Sequence, residues 1–183
     1  MLNLITTEEY DVELEIAYAS SNNFMQKPIY KNTYCYLHPD AAAALIRANN
    51  LAKSLGLRLK IFDAFRPLEA QWALWNHTPD PNFVSHPETG LTTHCRGVAV
   101  DLTLVDADKK ELDMGTEFDA FTPLSFHSCT EISTEAQQNR FILLGIMTAA
   151  GWDFFKNEWW HYQLHNPRNY PKISDLEANT QMM

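Results

Sequence analysis

TTHCRGVAVDLTLV, residues 92–105, joins a strand pattern to two side chains that can ligate a metal. From Gly97 to Val105 the residues alternate: Val98, Val100, Leu102 and Leu104 fall on one face, and Gly97, Ala99, Asp101 and Thr103 on the other. The apolar face must pack on a core, so Asp101 is expected to look out from a row of small residues open to close approach. His94, in the turn before the strand, can fold back over that face. Imidazole nitrogen and carboxylate oxygen both suit zinc. A surface histidine and a strand aspartate paired with some basic group would give the same pattern, and these fourteen residues alone do not separate the two.

Outward from this strand, the chain reads as alternating short elements. Pro39 to Leu55 is alanine-rich, with Pro39 and Asp40 suited to a helix start and Gly56 to its end. Leu57 to Phe65 (LRLKIFDAF) follows as a strand, and Pro67 opens a short helix through Trp75. Four prolines and glycines between Thr78 and Thr93 predict loop, as does the irregular polar run from Asp106 to Ser133. Thr134 with Gln137 resembles a capping box for a helix to Ala150, ended by Gly151. Two strands, around Trp152–Phe155 and Trp159–Leu164, close the pattern. Few helices around a small antiparallel sheet predict the α+β class.

The last strand carries Glu158-Trp-Trp-His161. Positions three apart on a strand face opposite sides, so Glu158 and His161 meet only if Glu158 lies in the turn that enters the strand. Trp159 and Gln163 then share the face of His161, and Trp160, Tyr162 and Leu164 point to the core. An aromatic core strand with an incidental histidine is the plainer account. Taken with His94 and Asp101, however, His161 completes three ligands, the usual number at a catalytic zinc with one position left for water. Glu158 is then a carboxylate beside the site, free to take a proton. Arg66 presents a permanently charged fork suited to an oxyanion or a substrate carboxylate, unless it serves an ion pair with Asp63 or Glu69.

The bulk numbers fit a soluble domain. The 183 residues are 45% hydrophobic and 20% charged, which predicts one domain spanning 1–183 with a core that needs no metal to fold. A net charge of −9 argues against nucleic acid. Cys35, Cys95 and Cys129 cannot all pair within one chain and lack zinc-finger spacing. They predict free thiols and a cytoplasmic protein, with a mature periplasmic form left open. The acidic N-terminus does not read as a signal peptide, and no apolar run reaches membrane-spanning length.

The motifs T-x-H-x-x-G-x-A-x-D (92–101) and EWWHY (158–162) resemble the metal-binding signatures of the D-Ala-D-Ala dipeptidases, relatives of the vancomycin-resistance dipeptidase. YASSNNF (18–24), DAFRP (63–67), MGTEFDAF (114–121) and EAQQNR (135–140) extend the likeness in order over most of the chain. The resemblance implies the small α+β zinc DD-peptidase fold shared with the hedgehog signalling domain. It implies one Zn2+ on His94, Asp101 and His161, Glu158 as base, and Arg66 as the arginine that stabilises the transition state. Tyr18 and Asp119 match the residues that receive the dipeptide's ammonium group. Two positions depart from the family: Thr92 replaces a serine of the substrate pocket and narrows it by a methyl, and Cys95 replaces a serine beside His94. The expected reaction is hydrolysis of free D-alanyl-D-alanine. A wall-trimming carboxypeptidase or endopeptidase, or a non-catalytic zinc module, is the alternative.

Overall fold

The computed structural model describes residues 1–183. In chain order it comprises β1 (Asn3–Ile5), α1 (Thr7–Tyr10), β2 (Glu13–Leu14), β3 (Cys35–Leu37), α2 (Pro39–Ser54), β4 (Arg58–Asp63) and α3 (Leu68–His77). Then come β5 (Ala99–Val105), α4 (Thr134–Ala149), β6 (Trp152–Phe154), β7 (His161–Leu164) and α5 (Asp175–Ala178). The main sheet has the order β2-β4-β5-β7-β6, and β1 pairs with β3 in a separate two-stranded ribbon. The α+β expectation is met, with one amendment. The main sheet is antiparallel except where β2 runs parallel to β4.

β5 is the central strand, and its position changes one expectation. The alternation predicted one buried and one open face, yet all seven residues are buried, Ala99 and Thr103 as fully as Val100 and Leu102. Small side chains let surrounding loops close over the second face, so Asp101 sits at the floor of an enclosed site. The opposite face carries Val100, Leu102 and Leu104, which join Leu45, Ala48, Leu59, Ile61, Leu143 and Tyr162 in one hydrophobic cluster.

The long helices stand close to expectation. α2 starts at Pro39 with His38 as its cap, and Gly56, at φ +75, follows its end. α4 is capped by Ser133, whose Oγ accepts from the Ala136 N–H at 3.0 Å. The expected capping box at Thr134 and Gln137 is therefore absent: Thr134 is already the first helical residue, and Gln137 donates instead to Ile132 O at 3.1 Å. A capping box does occur where none was expected, at Ser174 and Glu177 on α5.

Strand register assembles the site. Asp101 on β5 lies opposite Asp63 at the end of β4 on one side and His161 at the start of β7 on the other. Three chemically active side chains thus meet at one level of the sheet.

Candidate metal centre and its cavity

His94 opens a one-turn 3₁₀ helix, His94–Arg96, that ends at Gly97 with φ +66, and this turn swings the imidazole over β5. His94 Nε2 lies 3.2 Å from Asp101 Oδ2 and 3.1 Å from His161 Nδ1, and His161 Nδ1 lies 3.0 Å from Asp101 Oδ1. All three side chains are buried, and one donor atom from each lies within 4.8 Å of the others.

The outer nitrogens fix which lone pairs face inward. His94 Nδ1–H donates to Ala64 O at 2.7 Å, leaving Nε2 as a lone pair directed at the other two groups. His161 Nε2 lies 3.3 Å from Gln163 Oε1, an acceptor, which leaves Nδ1 as the inward lone pair. With no cation at the point where they meet, the imidazoles can carry protons there instead: burial would raise the Asp101 carboxyl, but the charge and hydrogen bonds of protonated His94 and His161 outweigh it and hold the group well below the usual carboxylate range. Two imidazole lone pairs and a carboxylate aimed at one point repel unless a cation lies between them. The donor set therefore fits zinc, which takes N and O ligands in this number.

Glu158 stands in the turn before β7, as the spacing required, with Oε2 4.0 Å from His161 Nδ1. It is outside the convergent triad. Burial pushes its carboxyl up to about 7, against the smaller opposing pull of His161. The turn is held by the His127 N–H, which donates to Lys156 O at 3.0 Å. Trp160 is buried in the core cluster as expected, but regular pleat begins only at His161, so Trp159 does not share the face of His161. Trp160 lines the cavity, and Trp159 is buried elsewhere, its Nε1–H donating to Thr116 Oγ1 at 2.8 Å.

Arg66 lies three residues beyond β4, lines the cavity, and makes the ion pair with Asp63 that the sequence allowed. Its Nε and Nη2 each lie 2.8 Å from Asp63 Oδ2, and Nη2 lies 3.6 Å from Asp101 Oδ2. Tyr30 OH donates to Asp63 Oδ1 at 3.0 Å, so the carboxylate that holds the guanidinium is itself held. Glu69 takes no part; it accepts from the Asp175 N–H.

Tyr18 and Asp119 are 101 residues apart yet bonded, Tyr18 OH donating to Asp119 Oδ2 at 2.9 Å. Asp119 sits at φ +58, a left-handed turn that aspartate tolerates better than most residues. It has no cationic partner, and burial, with Asp101 nearby, pushes its carboxyl well above the ordinary range. Thr92, at φ +45, is buried, and its Oγ1 has no hydrogen-bond partner.

These groups line one cavity of about 140 Å³, roofed by Pro81, Asn82, Phe83 and Val84 and walled by Phe24 and Phe121. Phe121 stacks on Phe83 at 4.8 Å and lies 4.9 Å from Phe24, so three separate loops meet in one aromatic wall. Sequence reading missed this wall and Gln71, because loop packing carries no periodic signal. His165 lies beyond β7 and is exposed; His77, His86, His127 and His165 all stay outside the triad. Cys95 lies in the 3₁₀ turn beside His94. It is wholly buried, and burial pushes its thiol up to about 12.

A family model described as D-Ala-D-Ala dipeptidase matches residues 5–177. A D-alanyl-D-alanine dipeptidase of Escherichia coli (strain K12) is 41% identical over 165 residues, covering 90% of this chain and 85% of its own length. One from Enterococcus faecium is 32% identical over 184 residues, covering 88% of this chain and 91% of its own. Among solved structures, a point mutant of the vancomycin resistance D,D-pentapeptidase VanY with Zn(II) aligns at 17% identity and a TM-score of 0.44, over 91% of this chain and 85% of that one. Matched over nearly its whole length, with the residues of both signature motifs gathered in one cavity, the chain belongs to the D-Ala-D-Ala dipeptidase family.

Proposed function

We propose that residues 1–183 form one dipeptidase domain that hydrolyses D-alanyl-D-alanine to two D-alanines, with one zinc ion on His94, Asp101 and His161. The observation that carries this reading is the convergence of those three donor groups beside a fourth, uncommitted carboxylate, in a cavity fit for a very small peptide. Zinc held there supplies a Lewis acid for the scissile carbonyl and brings the pKa of water down to about 7.

The protein's own groups do the rest. Glu158 accepts the proton of the attacking water and passes it to the leaving amine, a task suited to a carboxyl poised near neutrality. The Arg66 guanidinium, fixed by Asp63, stabilises the negative charge that develops on the carbonyl oxygen. Asp119, lacking a cationic partner, binds the substrate ammonium group with Tyr18 alongside. The unpartnered Thr92 hydroxyl is available to donate to the dipeptide's carboxylate.

Several measurements test this reading. Elemental analysis should find one zinc per chain, and chelation should abolish release of D-alanine. Glu158→Gln should keep its zinc and lose roughly a hundredfold or more in kcat; unchanged turnover would remove Glu158 from its role, whereas a zinc-loaded wild type that releases no D-alanine would favour a binding module. His161→Ala should lose metal and activity together. Faster turnover of an N-acylated tripeptide ending in D-Ala-D-Ala than of the free dipeptide would instead mark a wall-trimming peptidase.

A further inference from the structure

Gln71 is 2% exposed, lies on the first turns of α3, and lines the cavity without touching the metal triad. Both ends of its amide are engaged. Oε1 accepts from Arg66 Nη1 at 3.1 Å, and Nε2 donates to Ser85 O at 2.8 Å. The orientation is unambiguous, because a guanidinium only donates and a carbonyl only accepts. Ser85 follows directly on Pro81–Val84, the segment that roofs the cavity.

Arg66 thus rests on two supports of different kinds. Asp63, from the end of a strand, grips Nε and Nη2. Gln71 grips the remaining nitrogen, Nη1, and is the link through which the roof segment reaches the guanidinium. The helix start stiffens that link, since the Gln71 N–H donates to Pro67 O at 3.0 Å and Pro67 adjoins Arg66. A guanidinium held at all three nitrogens loses the freedom to rotate about its last bonds. Preorganisation of this kind is what a donor needs in order to stabilise charge without reorganising during the reaction.

We propose that Gln71 is a positioning residue that couples the cavity roof to Arg66: its carbonyl end sets the guanidinium for the transition state, and its amide end holds the roof over the bound dipeptide. The proposal rests on the assignment of Arg66 given above. Its two ends separate in kinetics. Loss of the grip on Arg66 appears in kcat, and loss of the grip on the roof appears in KM.

The test uses the zinc-loaded protein and D-Ala-D-Ala, with zinc content and thermal melting checked for each variant. Gln71→Ala removes both ends and should lower kcat about tenfold and raise KM severalfold. Gln71→Glu keeps an acceptor for Arg66 Nη1 but has no donor for Ser85 O, so it should keep kcat within about threefold of wild type while KM still rises. Recovery of kcat by glutamate is something a merely structural role would not produce. Equal losses in the two variants, or a kcat unchanged in Gln71→Ala, would overturn the coupling. If the alanine variant does not fold, Gln71→Glu decides alone: kcat lost with KM unchanged overturns it. A wild-type protein that releases no D-alanine with zinc bound would refute the dipeptidase reading instead, a result distinct from any of these.

Discussion

Glu158 and Asp119 are both carboxylates placed where water cannot fully solvate them, and each yields a prediction with a definite sign. The metal-free folded protein holds a proton on Glu158 up to about pH 7, whereas an ordinary glutamate carboxyl has released it above 4.5. Between those two values the folded state binds more protons than the unfolded chain, so its stability falls as pH rises, then levels off. Glu158→Gln removes this dependence. Its melting temperature in metal-free buffer should equal that of wild type near pH 4.5 and exceed it at pH 8; a gap that widens toward acid would reverse the assignment. In activity the same group acts oppositely, since only the ionised form is a base and turnover should fall on the acid side. Asp119→Asn should raise KM for the free dipeptide about tenfold or more by deleting the ammonium's counter-charge, with zinc content unchanged. An unaltered KM would place the ammonium elsewhere.

At the scale of elements, what was legible followed from spacing and what was not followed from packing. His94, Asp101 and His161 could be read because a turn, a strand alternation and a pair of signature motifs fix their local geometry. Glu158 could be placed in a turn because strand geometry forbids the alternative. The burial of both faces of β5 could not be read, because it depends on loops from distant sequence closing over small side chains. Gln71 was invisible for a similar reason: its partners lie five and fourteen residues away in segments of no regular period. The cap of α4 was misassigned by one residue, since adjacent Ser133 and Thr134 are equally competent chemically and only the backbone decides. Ser133→Ala should therefore destabilise the protein by about 1 kcal/mol in denaturant melts, while Thr134→Ala should be nearly neutral.

For the whole molecule, the cavity gathers Asp101, Asp119 and Glu158 around a single arginine and two imidazoles, with Asp63 behind the arginine. A divalent cation finds its three ligands together only in the folded state, where they converge. Binding to the native form alone shifts the folding equilibrium toward it. Chelation should accordingly lower the melting temperature by several degrees, and stoichiometric zinc should restore it; identical melting with and without metal would show that the ligands do not converge in solution. No helix is long and apolar enough to cross a membrane.

The order of the main sheet has one more consequence. Its borders are β2 and β6, of two and three residues, and the longest strands, β4 and β5, lie inside it. Borders of this length offer few free amide groups for another molecule to extend, and β2 itself carries Glu13, ion-paired with Arg58 of β4. Fibrillar stacking and strand exchange are thereby discouraged at the perimeter, so the reactive residues at the centre can be held rigidly without leaving an adhesive rim.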